Sequence, residues 1–132
     1  MPHLVVEYTD NIRAEARIAE LLRKANQVFI AQGGVFPPGG IRSRAIELHD
    51  YAIADCADDY AFVHCSLKIG AGRTEQEKAK TFEDLFAMMK EHFQEIYASR
   101  PFALSLEVGE FSEAGTYKYN NLHEHLRRKT NA

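Results

Sequence analysis

Three groups of residues in this chain have types and spacings suited to chemistry. The first is Met1-Pro2. Methionine ahead of a small residue is normally trimmed during synthesis, which is expected to leave Pro2 as the chain terminus. A terminal proline is a secondary amine rather than an amide. A free α-amino group titrates near pH ~7.7–8.0, and burial or neighbouring cations lower that value, toward the range where a general base works well. The alternative is a proline that only opens an edge strand. The second group is Arg42 and Arg44, in Ile41-Arg42-Ser43-Arg44. At i and i+2 of a strand they leave the same face, with Cα atoms about 6.6 Å apart at a rise of ~3.3 Å per residue. Two adjacent guanidiniums call for an anion with several carboxylates, or for acidic partners at a structural or subunit contact; their planar forks suit carboxylates better than lysine does. The third is Lys68-Ile69-Gly70-Ala71-Gly72-Arg73, a strand end, a glycine loop and a cation just before a capped helix. Helix N-termini attract anions, although an ordinary strand-to-helix turn reads the same way. The lysine precedes the glycines and no third glycine follows, so neither a Walker loop nor a dinucleotide fingerprint is present.

The elements that must position these groups repeat. Leu4 to Tyr8 alternates as a strand, with Leu4, Val6 and Tyr8 on one face. Asp10 is expected to cap a helix whose apolar stripe runs through Ile18, Leu21, Leu22, Ala25 and Phe29, ended by Gly33-Gly34 and followed by a Pro37-Pro38-Gly39-Gly40 loop. Ile41 to His49 reads as the next strand. About 57 residues after the first strand the order returns. Tyr60 to Ile69 alternates, Thr74-Glu75-Gln76-Glu77 forms a capping box, and Phe82, Leu85, Phe86, Met89, Phe93 and Ile96 trace a long amphipathic helix that Pro101 stops. Phe102 to Val108 is the fourth strand, and Asn120 to Lys129 adds a frayed helical turn or two.

The expected fold is therefore α/β in two layers (α+β), two β-α-β units sharing a four-stranded mixed sheet with both helices on one face. We expect one domain over 1–132, with pseudo-repeats of about 1–58 and 59–110 and a polar tail at 111–132. The bare sheet face, of mixed small, polar and apolar residues, fits a surface covered by another subunit. A domain of 132 residues buries only about two-thirds of its unfolded surface, which also favours oligomerisation.

Composition narrows the partners. The net charge of −3 gives no footprint for nucleic acid or anionic membrane. The two cysteines, Cys56 and Cys65, make neither a metal spacing nor a disulfide framework, which suits a reduced, cytoplasmic setting. No apolar run of membrane-spanning length and no signal-like leader is seen. The six histidines are scattered, and His123 and His125 point apart on a helix, so no metal site is expected.

Taken together, Met-Pro opening a strand, the doubled β-α-β order, Ile41-Arg42-Ser43-Arg44, and Asp59-Tyr60-Ala61-Phe62-Val63-His64 leading into Lys68 through Arg73 resemble the tautomerase superfamily, and within it the 5-carboxymethyl-2-hydroxymuconate isomerase family. The resemblance runs from Met1 to about Val108; beyond Phe111 only Tyr119-Asn120-Asn121 compares. It implies a homotrimer with the sheets inside and helices outside. It also implies a cofactor-independent isomerase of homoprotocatechuate (4-hydroxyphenylacetate) catabolism, acting on a small carboxylate substrate. Processed Pro2 would be the general base, with Arg42 and then Arg73 as catalytic arginines. Arg44 is assigned to substrate binding or to the trimer contact, Phe36 to the pocket wall, and Lys68 to the substrate. Arg13 is nearest to an arginine that smaller superfamily members use early in the first helix, but it matches too loosely to take that role. Two other readings remain open: a related enzyme acting on another oxo-acid, and a non-catalytic oligomer that binds anions.

Overall fold

A computed structural model describes residues 1–131 of the chain. The sheet has four strands, β1 (His3–Thr9), β2 (Arg42–Leu48), β3 (Ala61–Gly70) and β4 (Phe102–Phe111), in the spatial order β2-β1-β3-β4. β1 and β2 run parallel, β3 and β4 run parallel, and the central pair β1/β3 is antiparallel. The alternation read from the sequence sets the faces. Leu4 and Val6 of β1 and Val63, Cys65, Leu67 and Ile69 of β3 are buried against α2 (Ile18–Ile30) and α3 (Glu75–His92). From the helix side, Leu21, Ala25, Phe29, Leu85 and Met89 close the core. Cys65 lies deep enough in it that burial pushes its thiol up to about 12, which makes it a packing residue rather than a nucleophile. The opposite sheet face carries His3, Val5, Glu7, Phe62, His64, Ser66 and Lys68 and is covered by no helix among the described residues. No described helix is long and apolar enough to cross a membrane.

The expected capping box is present: Thr74 Oγ1 accepts from the Glu77 amide at 3.0 Å, and Glu77 Oε1 accepts from the Thr74 amide at 2.9 Å. The expected cap at Asp10 is not. Asp10 lies inside a 3-10 turn, Asp10–Ile12, and its carboxylate instead accepts from Tyr51 Oη at 2.8 Å and meets His49 Nδ1 at 3.0 Å. A carboxylate engaged by two long-range partners is not free to cap its own chain. The helix that follows is also broken. α1 (Arg13–Ala16) ends at Arg17, whose left-handed φ of 46° is uncommon for a residue with a side chain. The break is anchored from afar: Arg17 donates to the His92 carbonyl at 3.0 Å, and His92 Nε2 meets the Ala16 carbonyl at 2.7 Å. A second interruption at Phe93 separates α3 from α4 (Gln94–Ser99). The tail forms a full helix, α5 (Leu122–Asn131), longer than the expected turn or two, and it is docked. Asn120 Nδ2 donates to the Gly39 carbonyl at 3.1 Å, and His123 packs directly on Gly39.

Candidate active site

Strand directions gather the chemical groups at one end of the sheet. β1 begins there, β2 begins beside it with His3 opposite Arg42, and the antiparallel β3 ends there with His3 opposite Lys68. β4, parallel to β3, ends alongside with Phe111 opposite Gly70. Met1-Pro2, Arg42, Arg73 and the residues following Phe111 therefore converge, although they lie far apart in sequence.

Pro2 is buried, and its carbonyl accepts from the Arg42 amide at 3.0 Å, which ties the chain start to the first residue of β2. Met1 is present, so the free amine belongs to Met1 and the Pro2 nitrogen is an amide. The Met1 amine therefore reports the field one residue outward from the imino group that processing would create. That amine is pushed down to about 6, by desolvation first, then by the Arg73 and Lys118 charges, with Glu113 opposing and Arg42 adding to the depression. Met1 packs against Gly40, its Cα 3.4 Å from where a Cβ on that glycine would lie.

The arginines differ in how firmly they are held. Arg73 donates through Nη2 and Nε to the Val35 carbonyl at 3.1 and 3.3 Å and through Nη1 to the Gly70 carbonyl at 3.0 Å. Its guanidinium also stacks 4.3 Å above the Phe36 ring, an arrangement that fixes a cation without neutralising it. Arg42 donates to the Gly39 carbonyl at 3.0 Å, the same oxygen that Asn120 holds. Neither arginine has an acidic ion-pair partner within 4 Å among the described residues. Arg44 lies on the bare face, exposed, with Nη1 3.2 Å from His3 Nδ1. Burial, Arg44, Arg42 and the chain terminus together lower the His3 pKa, leaving a neutral ring that accepts from Arg44. Lys68 is exposed on that same face, across from His3. Phe36 is 1% exposed: its ring is a buried platform under Arg73, stacked edge-on to Phe29 at 5.3 Å, rather than an open wall.

Two charged residues of the site escaped sequence reasoning, Glu113 and Lys118. The signal was available, because a second β-α-β unit returns the chain parallel to β3 and delivers whatever follows β4 to the Gly70–Arg73 loop. The glycine loop itself turns its backbone through Gly72 at φ 107°. Among the described residues no group of three histidine, cysteine or acidic side chains is placed to hold a metal ion.

A doubled β-α-β sheet of this kind, two layers with both long helices on one face, is an architecture shared with solved structures only 17% and 10% identical, each with a TM-score of 0.68 over 88% of this chain, a likeness that speaks for the fold alone. A solved 5-carboxymethyl-2-hydroxymuconate isomerase from Deinococcus radiodurans R1 is 52% identical, with a TM-score of 0.91 over 96% of this chain and 94% of that one. A solved 5-carboxymethyl-2-hydroxymuconate delta-isomerase is 26% identical, with a TM-score of 0.87 over 96% and 93%. The Escherichia coli 5-carboxymethyl-2-hydroxymuconate Delta-isomerase is 44% identical over 93% of this chain and 97% of its own length. The family model for 5-carboxymethyl-2-hydroxymuconate isomerase matches residues 2–126. The chain belongs to that family and is an isomerase.

Proposed function

We propose that the protein converts 5-carboxymethyl-2-hydroxymuconate to its unsaturated 2-oxo isomer, with Pro2 as general base after removal of Met1. The observation that carries this reading is the chain start buried among cations: Pro2 is buried, its carbonyl accepts from the Arg42 amide at 3.0 Å, and the adjacent Met1 amine is pushed down to about 6 by burial, Arg73, Lys118 and Arg42. The same burial and cations lower the proton affinity of a Pro2 secondary amine, which favours its uncharged, proton-accepting form. Neutral Pro2 takes the proton of the 2-hydroxyl. The electron pair moves through the conjugated system, the C2 oxygen becomes a ketone, and the protonated proline returns the proton to the far carbon. Nothing is oxidised or reduced, so the balance requires no cofactor. Arg42 and Arg73 neutralise the dienolate oxygen as charge develops there and bind carboxylates, and substrate orientation decides where the proton lands. Arg44 and Lys68, on the bare face with His3, are assigned to a subunit contact or to the outer part of the substrate.

The reading extends to the assembly and the setting. The bare sheet face fits burial in a homotrimer, the two β-α-β units fit pseudo-repeats of about 1–58 and 59–110 with a tail at 111–132, and the reaction places the enzyme in homoprotocatechuate degradation in the cytoplasm. The test is mass spectrometry of the mature chain coupled to an ultraviolet ketonisation assay with the dienol. A chain beginning at Pro2 that turns over the dienol supports the assignment. A correctly processed chain that leaves the dienol at its solvent rate removes it. Turnover of simpler 2-oxo acid enols with no preference for the tricarboxylate would favour a tautomerase of another oxo-acid.

A further inference from the structure

The segment following β4 crosses the end of the sheet that holds the chain terminus. There Glu113 Oε1 lies 2.6 Å from where a Cβ on Gly70 would stand, and Arg73 Nη1 lies 3.6 Å from the same point. A side chain at position 70 would push the carboxylate out of this placement beside Arg73. The other oxygen, Glu113 Oε2, pairs with Lys118 Nζ at 3.5 Å, and that ammonium stands 5.6 Å above the Phe111 ring. Phe111 in turn meets His3 edge-on at 6.4 Å, which links the tail to the start of β1. Lys118 keeps part of its surface open, with 38% side-chain exposure, so its remaining donors are available to an incoming anion.

We propose that Lys118 is a third substrate-binding cation, taking one carboxylate of a polycarboxylate substrate, and that Glu113 is the positioning residue that holds it beside Arg73 and sets the net charge around the terminal nitrogen. This rests on the reading of Pro2 as the mature terminus. A substrate with three carboxylates has one more than Arg42 and Arg73 would take singly, and Lys118, unlike Arg44 and Lys68 on the bare face, is among the charges that act on the chain terminus. An internal carboxylate also limits the repulsion among three clustered cations while no substrate is bound. The charged groups facing the terminal nitrogen are Arg73, Lys118, Glu113 and Arg42; Glu113 raises its proton affinity and the three cations lower it.

The test separates this proposal from the assigned reaction by reading the imino group directly. In protein labelled with 15N-proline, the terminal nitrogen is titrated by NMR in the processed wild type, in Glu113→Gln and in Lys118→Gln. Glu113→Gln is expected to shift the midpoint to lower pH and Lys118→Gln to higher pH, with the double variant between them. A general loss of stability would not move the two in opposite directions. In the ketonisation assay Lys118→Gln raises KM for the tricarboxylate about tenfold with kcat within about twofold, as for loss of one charge-assisted contact. Unmoved or same-direction midpoints, or an unchanged KM, overturn the proposal even if the enzyme is active. Opposite shifts in a protein that turns over no dienol would retain the electrostatic role and discard the reaction.

Discussion

Gly39→Ala probes how the tail is clamped to the loop that carries Arg42. Gly39 does not adopt a left-handed φ, so alanine suits the backbone and the whole effect is steric. The added methyl would lie 2.8 Å from the His123 backbone nitrogen and 2.7 and 2.9 Å from its ring Nδ1 and Cγ. The ring can rotate away, but the backbone nitrogen cannot do so without moving α5. The helix must retreat by about 0.6 Å to regain the 3.4 Å of ordinary contact. Its hold on the body consists of the His123 contact, the Asn120 bond to the Gly39 carbonyl and a half-buried Leu126. A helix of 10 residues is marginal once undocked. Overpacking at one point costs about 1–3 kcal/mol, and little of it can be recovered by relaxation elsewhere. Opening of α5 therefore becomes easier by that amount, and amide exchange across 122–131 rises on the order of tenfold to a hundredfold. Leu4, Val6, Val63 and Leu67 lie in a core that α5 does not touch, so their amides keep wild-type protection. Hydrogen exchange read by mass spectrometry or NMR decides the matter. Wild-type protection of α5, or a loss shared equally by β1 and β3, would refute the clamp.

Arg42→Ala is expected to raise KM strongly, about tenfold or more, and to lower kcat less, because Arg42 binds a carboxylate more than it stabilises charge; an unchanged kcat/KM removes it from the site. One extra residue ahead of Pro2 converts the secondary-amine nitrogen into an amide and should abolish ketonisation while leaving the circular dichroism and thermal midpoint unchanged; retained turnover would discard Pro2 as the base. The pH profile has a defined sign. A base is active only when unprotonated, and the burial and cations that lower the Met1 amine from 8.0 to about 6 act in the same direction on the Pro2 nitrogen that processing exposes. kcat/KM should thus rise as pH increases and level off above a midpoint lower than that of a solvent-exposed terminal proline. A midpoint at or above that exposed value would mean that the cations do not act on the nitrogen.

The placement of much of the candidate site was legible because strands write their faces into a period of two. Leu4, Val6 and Tyr8 against His3, Val5 and Glu7, and Arg42 with Arg44 on one face, follow from alternation alone, and the register between β1 and β2 places His3 opposite Arg42. The Thr74 cap was equally readable, since a capping box is a contact between residues three apart. What escaped depends on partners remote in sequence. Asp10 fails as a cap because His49 and Tyr51, about 40 residues on, engage its carboxylate. The helix breaks at Arg17 because His92 holds both sides of the break, and no local propensity encodes that contact. Phe36 read as a pocket wall because a lone aromatic beside a proline-rich loop says nothing of the cation that will lie on it. The tail looked like a polar appendage because its own sequence cannot show that Gly39 and Gly70 leave room for it. Those two glycines are the other half of the tail's contacts: one receives His123, the other Glu113. A candidate site built from the starts of two strands and the ends of two others thus takes in residues whose only sequence mark is a missing side chain elsewhere.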